Sequence, residues 1–99
     1  MALASVITPD AASQLFVAAT WYEAREPDST LGLELIAEFD EVLEFICENP
    51  EMFPVYDGRT RRALLHHFPY AIYYEQESDR VVVLTFLAMS QEQGPERRR

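Results

Sequence analysis

The sequence predicts an α+β fold in which a two-helix hairpin packs on a small antiparallel β-sheet. Apolar residues recur at helical spacing over residues 9–25 and again over residues 31–48. The period changes after Pro54, and three β-like runs rich in aromatic and branched residues follow. Helices grouped before strands are typical of an α+β architecture, with the helices on one face of the sheet.

Length and composition predict a single domain. The chain has 99 residues, 48% of them apolar, which is enough for one core and too few for two domains. We expect this domain to span residues 1–90, followed by a polar, flexible tail over residues 91–99. Neither a membrane span nor a signal peptide is visible, which predicts a cytoplasmic protein. Cys47 is the single cysteine and is expected to be a buried structural thiol.

The first two elements are expected to be a strand and a helix. Residues 3–7 are mostly apolar and predict a short strand. Thr8 can cap the helix that follows, and Pro9 suits the first helical position because the N–H that it lacks would have no partner there. The expected buried stripe of this helix consists of Ala12, Leu15, Phe16, Ala19 and Tyr22.

The second helix is expected to end at Asn49-Pro50. Its apolar stripe consists of Leu35, Ile36, Phe39, Val42, Leu43 and Ile46. Five carboxylates are expected to cover the opposite, solvated surface: Glu34, Glu38, Glu41, Glu44 and Glu48. Carboxylates in the last turn oppose the helix dipole, and either a partner bearing Lys or Arg or plain solvation would offset this.

Three strands are expected to complete the sheet, over residues 61–67, 70–76 and 80–89. Residues 77–79 read as the polar connection of a hairpin between the last two. His66 and His67 would then be adjacent on a strand and point to opposite faces, so they could not bind one ion together.

Charge is divided unevenly along the chain. Residues 1–57 hold twelve acids and one arginine, a net of −11, and residues 58–99 hold five acids and seven arginines, a net of +2, which together give −9. This division indicates two surfaces with different roles or, alternatively, a solvated acidic face that keeps the protein soluble. The acidic face argues against sequence-specific DNA binding by the chain itself, because phosphate binding needs a basic surface.

The sequence contains no recognisable motif for catalysis or for a cofactor. The three glycines lie far apart rather than in a phosphate-binding loop, and no His, Cys and acidic residues have metal-ligand spacing. We therefore predict no catalytic residue, no metal site and no cofactor.

Arginines beside tyrosines are the candidate binding residues: Arg59, Arg61, Arg62, Tyr70 and Tyr74. Guanidinium groups suit bidentate contacts with phosphate or carboxylate, and interleaved aromatic rings could grip RNA or an acidic protein surface. Arg61 and Arg62 are expected to face opposite sides of their strand. The alternative is that an arginine pairs with a helix carboxylate while the tyrosines fill the edge of the core.

Several short motifs follow one another in a fixed order. The most specific is Phe68-Pro69-Tyr70-x-Ile72-x-Tyr74 after Arg61-Arg62, supported by Trp21-Tyr22 and by Asn49-Pro50-x-x-Phe53-Pro54. Over about residues 8–87 this pattern resembles the RelE/ParE superfamily of toxins from type II toxin–antitoxin systems, and it is most similar to the ParE-like branch. The resemblance implies the fold predicted above.

The resemblance also implies a function and partners. A ParE-like chain would be the toxin of a plasmid-stabilisation-like module, binding a protein target such as DNA gyrase without catalysis, and a cognate antitoxin would neutralise it. In such families a flexible antitoxin segment folds on the toxin. We therefore expect the antitoxin to cover an apolar groove at Trp21 and Tyr22, and the arginine–tyrosine set to bind the target.

The same resemblance allows two alternatives. A RelE-like member would be a ribosome-dependent mRNA interferase, a metal-independent endoribonuclease acting through an arginine and a tyrosine. A decayed member would keep antitoxin binding without toxicity. ParE-like chains commonly carry His and Arg after the last strand, where this chain has Ala88, Ser90 and Gln91. That departure and the charge of −9 favour a non-enzymatic or a decayed member over a nuclease.

Overall fold

The structure is a computed structural model that describes residues 2–89. Its elements in chain order are β1 (Ala4–Ile7), α1 (Pro9–Arg25), α2 (Leu31–Glu48), β2 (Val55–Asp57), β3 (Thr60–Leu64), β4 (Tyr70–Gln76) and β5 (Arg80–Ala88). The predicted α+β fold is confirmed, and both helices have the expected bounds. The tail expected over residues 91–99 lies outside the described residues.

The five strands form one mixed sheet in the order β1-β5-β4-β3-β2. Neighbours from β2 to β5 are antiparallel, as expected. Strand β1 instead pairs parallel with β5, with Val6 opposite Val82 and Ile7 opposite Val83. Two parallel strands need a long crossover connection between them. Here the two helices and strands β2 to β4 lie between β1 and β5 in the sequence and form that connection.

The region between α2 and β4 differs from the expectation. No strand is predicted between Pro54 and Arg61, but β2 and β3 form a hairpin joined at Gly58 and Arg59, with Gly58 at a φ of +57°. An Asp-Gly pair is a hairpin signal, because glycine adopts this backbone conformation without steric cost. Strand β3 ends at Leu64, so the prediction that His66 and His67 lie on a strand is wrong; they lie in the turn that follows.

Helix α1 is fixed to β5 at its first residues. The Thr8 hydroxyl accepts a hydrogen bond from the Ala11 N–H at 3.2 Å and donates one to the Leu84 carbonyl at 3.0 Å. The buried residues of the helix are Ala11, Ala18 and Ala19. The expected stripe is therefore wrong at Ala12 and Phe16: Ala12 is exposed, and Phe16 is 70% exposed.

The core lies between α2 and the sheet. Its members on α2 include Leu35, Phe39, Val42, Leu43 and Ile46, and they pack against Ile72, Tyr74, Val81, Val83 and Phe86 of β4 and β5. The rings of Phe39 and Phe86 meet edge to face with their centroids 5.2 Å apart. Gly32 lets the two helices approach, because a Cβ there would lie 2.8 Å from the carbonyl oxygen of Ala19.

Candidate partner-binding site

An open groove of about 470 Å³, here called the α1 groove, lies between α1 and the sheet. Its lining includes Val17, Trp21 and Tyr22 of α1, Tyr70 of β4, and Leu87 and Ala88 of β5. Val17 is 62% exposed and Trp21 is 48% exposed. Large apolar side chains exposed around a concave surface are typical of a protein–protein interface.

Aromatic contacts hold the two residues predicted to bind an antitoxin. The Trp21 and Tyr22 rings meet edge to face at 5.0 Å, and Tyr22 meets Phe68 in the same way at 5.2 Å. One turn further along α1, the guanidinium carbon of Arg25 lies 4.3 Å from the centroid of the Trp21 ring. Burial raises the pKa of Tyr22. Trp21 is thus oriented by its neighbours although nearly half of it faces solvent.

Tyr70 forms part of the same groove rather than of a surface with the arginines. Its ring stacks on Phe86 at 5.0 Å with an angle of 12° between the planes. Burial raises the pKa of Tyr70, and the nearby Tyr22 raises it further. The carbonyl of Pro69 accepts the Met89 N–H at 2.8 Å and so joins this end of β4 to the end of β5. Tyr70 therefore lies beside the two residues predicted to bind the antitoxin.

The turn between β3 and β4 is held by the carboxylate of Glu38, which the sequence pattern predicts to be in solvent. Glu38 is only 7% exposed, so its predicted place on the solvated face of α2 is wrong. Its carboxylate accepts hydrogen bonds from the backbone N–H groups of His66 and His67, the second at 3.2 Å from each oxygen. Both N–H groups lie beyond the end of β3 and have no partner in the sheet, so the Glu38 carboxylate serves as the acceptor for both. This turn leads into Phe68, which contacts Tyr22 in the α1 groove.

The three arginines of the β2–β3 hairpin occupy different environments. Arg59 is exposed and lies 3.5 Å from a carboxylate oxygen of Glu75. Arg61 donates to the carbonyls of Phe53 at 2.6 Å and Glu51 at 3.4 Å.

Arg62 is on the other face of the strand, as predicted. It is paired in register with Tyr73, whereas Arg61 is paired with Tyr74. The Arg62 guanidinium carbon lies 4.9 Å from the centroid of the Tyr56 ring. The five residues predicted to bind a target are therefore not brought together on one surface.

This division predicts unequal effects of two neighbouring substitutions. We expect Arg61→Ala to lower the free energy of unfolding by about 1–2 kcal/mol, because two loop carbonyls lose a charged donor. Arg62→Ala should cost about 0.5–1 kcal/mol through its lost ring contact. Urea unfolding of the two variants measures the difference. Equal losses would contradict the separate roles assigned to the two faces of β3.

Tyr74 lies inside the core, where no partner can reach it in this conformation. Its hydroxyl donates a hydrogen bond to the Pro50 carbonyl at 2.8 Å. Burial raises the pKa of Tyr74 to about 12, and the nearby Arg61 acts in the opposite direction. Tyr74 and Arg61 both donate hydrogen bonds to carbonyls of the loop after α2, and together they position that loop against the sheet.

The raised pKa of Tyr74 predicts a loss of stability in alkali. In the unfolded chain Tyr74 ionises near the usual tyrosine pKa of 10.0, and in the folded chain its pKa is about 12. Its contribution is therefore complete below about pH 10 and is lost as the pH rises towards 12, up to about 2–3 kcal/mol in total.

Tyr74→Phe tests this expectation by urea unfolding at about pH 8 and about pH 11, on either side of the usual tyrosine pKa. At the lower pH the variant should be about 1 kcal/mol less stable, because the hydrogen bond to Pro50 is lost. Between the two pH values it should lose less stability than the parent chain. Tyr56→Phe, at a half-exposed position, should keep the parent's pH dependence; the same pH dependence in the Tyr74 variant would contradict the assignment.

Metal binding and thiol reactivity can be assessed from the described residues. Among residues 2–89, no group of three His, Cys, Asp or Glu side chains could hold a metal ion. Cys47 is buried, and burial raises the pKa of its thiol, which makes it a poor nucleophile. No helix within the same residues combines the length and apolar character needed to cross a membrane.

Comparisons with known proteins identify a family and a shared fold. The family model described as the ParE toxin of the type II toxin-antitoxin system, parDE, matches residues 6–93. Among solved structures, one described as a chromosomal ParDE TA system from P. aeruginosa superposes with a TM-score of 0.76. The alignment covers 87% of this chain and 95% of that chain at 13% identity, which shows a shared fold. A search of curated proteins gives no match.

Proposed function

The chain belongs to the ParE toxin family of type II toxin–antitoxin systems, and from this premise we propose that it is a cytoplasmic toxin neutralised through its α1 groove. The partner in this groove is a cognate antitoxin, whose binding segment supplies apolar side chains to Val17, Trp21 and Tyr22. The toxin acts by binding a protein target such as DNA gyrase, without catalysis.

The observation that carries the antitoxin proposal is the exposed apolar wall of the α1 groove. Val17 and Trp21 are four residues apart, so they lie on neighbouring turns of one helix face. Tyr70 and Phe86, whose rings stack at 5.0 Å, also line this groove. An amphipathic segment could lay its apolar face here and remove both side chains from water.

We assign target contact to two arginines of the β2–β3 hairpin, the exposed Arg59 and the partly buried Arg62. Arg59 and Arg62 lie at and beside a short edge strand, and guanidinium groups recognise carboxylates on protein surfaces. Arg61 and Tyr74 support this hairpin from within, through the loop carbonyls of Phe53 and Pro50. Tyr70 belongs to the α1 groove, so an antitoxin bound there would cover it.

A binding experiment tests the role of the α1 groove. We expect Trp21→Ala to weaken binding of the purified cognate antitoxin by about tenfold to a hundredfold, since a half-exposed tryptophan that lines an apolar groove is a strong anchor. Leu33→Ala is the matched control, because Leu33 is 63% exposed on α2 and does not line the groove. Calorimetry with both variants measures the effect. Normal antitoxin binding by a folded Trp21→Ala chain would remove the proposal.

Induced expression without antitoxin tests the action on a target. Blocked DNA replication with translation intact supports binding of a gyrase-like target. Rapid loss of translation with mRNA cleavage would instead identify an interferase. Unimpaired growth at confirmed soluble expression would identify a member without toxicity.

A further inference from the structure

We propose that a second groove, between α2 and the end of β3, binds a basic amphipathic helix of a partner protein. This α2 groove is lined by Glu41, Val42, Phe45, Phe53, Leu64 and His66 and has a volume of about 420 Å³. It shares no lining residue with the α1 groove. The proposal therefore stands independently of the antitoxin site.

The floor and walls of the α2 groove are apolar. Phe45 is 43% exposed and meets Phe53 edge to face with the centroids 5.8 Å apart. Leu64, at the end of β3, is about half exposed and faces them across the groove. Three large apolar side chains are thus left partly in water around one concavity, which is the arrangement that a docking helix can cover.

A row of carboxylates runs beside this groove. Glu34, Glu41 and Glu48 are all exposed and are spaced seven residues apart along α2. Seven residues are nearly two helical turns, so the three carboxylates form a ridge about 21 Å long, parallel to the helix axis. Among the described residues, the ion pairs leave this ridge without a cationic partner.

The polarity of α2 adds to the negative potential at the Glu48 end of the ridge. The last turn of the helix contains no basic residue, so Glu48 lies at the end where the helix dipole is also negative. Cations supplied by a partner would offset both effects. Nucleic acids and anionic membrane surfaces would be repelled by the same ridge, which favours a protein partner.

The far wall of the groove fixes the orientation of the partner. That wall is formed by the apolar Phe53 and Leu64, whereas the acidic Glu41 lines the groove on the α2 side. The partner's lysines or arginines should therefore lie on the α2 side of the groove, where they face the carboxylate ridge. Its apolar residues, at helical i, i+4 and i+7 spacing, would fill the space between Phe45 and Leu64.

A designed peptide tests this inference. The probe is a labelled helical peptide about 18 residues long, with leucines along one stripe and lysines on the adjoining face. A matched peptide carries glutamates in place of the lysines. We expect the lysine peptide to bind, to shift the backbone amide signals of α2 and β3, and to bind at least about tenfold more tightly than its acidic counterpart.

Two pairs of variants locate the binding. Phe45→Ala and Glu41→Lys should each weaken binding by about tenfold. Leu33→Ala and Asp40→Lys make comparable chemical changes at exposed positions of α2 outside this groove, and they should change binding less than about twofold. Glu41→Lys alters only an exposed side chain, so it keeps the test decisive if Phe45→Ala proves unstable.

Three results would overturn the proposal. The first is equal binding of the lysine and glutamate peptides. The second is the same weakening by Asp40→Lys as by Glu41→Lys, which would indicate diffuse charge attraction. The third is a dimer of the chain alone in sedimentation that Glu41→Lys dissociates, which would make a second copy the occupant. Binding of the antitoxin by the same Glu41→Lys chain is measured separately, so failure here leaves the α1 groove untouched.

Discussion

Replacement of Glu38 by alanine is expected to lower the free energy of unfolding by about 2–4 kcal/mol. The substitution removes the carboxylate that accepts the backbone N–H groups of His66 and His67 and leaves both donors without this acceptor. Hydrogen bonds to a charged acceptor are among the stronger ones, and this acceptor is itself only 7% exposed. The turn leads into Phe68, which contacts Tyr22 in the α1 groove. We therefore expect the substitution to make the α1 groove less ordered as well.

Amide hydrogen exchange and urea unfolding measure this effect. In Glu38→Ala the amides of His66 and His67 should exchange faster than in the parent chain, and Glu38→Gln should lie between the two because its amide keeps one acceptor oxygen. Glu41→Gln is the matched control, one turn away on the same helix and exposed, and should stay within about 0.5 kcal/mol of the parent. Equal effects of Glu38→Ala and Glu41→Gln would show that the turn does not depend on the carboxylate.

Replacement of Phe39 by alanine should destabilise the chain by about 3–5 kcal/mol. Phe39 is fully buried and its ring packs edge to face on Phe86, which in turn stacks on Tyr70. The substitution removes apolar burial and leaves a cavity at the junction of α2, β4 and β5. Such a loss is a large part of the total stability expected for a domain of this size.

Phe45→Ala provides the matched comparison, because it makes the same chemical change on the same helix. Phe45 is partly exposed, so its truncation should cost about 1 kcal/mol or less. Thermal or urea unfolding of the two variants distinguishes them. A loss in Phe45→Ala as large as in Phe39→Ala would mean that the α2 groove belongs to the core rather than to a free surface.

The elements that the sequence predicts correctly are those specified by local signals. Thr8-Pro9 at the start of α1 and Asn49-Pro50 after α2 restrict the backbone whatever surrounds them. The runs that become β4 and β5 are long and strongly patterned. The hairpin of β2 and β3 has a signal of its own in Asp57-Gly58, but β2 has only three residues and is too short for its pattern to stand out.

The rotation of α1 shows where a local pattern fails. Phe16 and Ala19 both fit a helical stripe, but the helix packs against two surfaces at once, and small alanines allow the closer approach. The position of Phe16 in solvent follows from that packing. The same rotation turns Val17 and Trp21 towards the α1 groove, so the sequence could place Trp21 near a groove without specifying the groove's walls.

The sequence by itself determined the α+β class, the helix bounds, the division of charge and the motifs that identify the family, because each depends on residues close together in the chain. The tertiary structure alone decided which candidates share a surface. Tyr70 lies in the α1 groove with Trp21 and Tyr22, whereas Tyr74 is buried in the core. Glu38 is buried rather than solvated and binds the backbone of a turn 28 residues away. These outcomes depend on packing between distant parts of the chain and on the need of unpaired backbone N–H groups for acceptors. The spacing of residues along the sequence predicts neither.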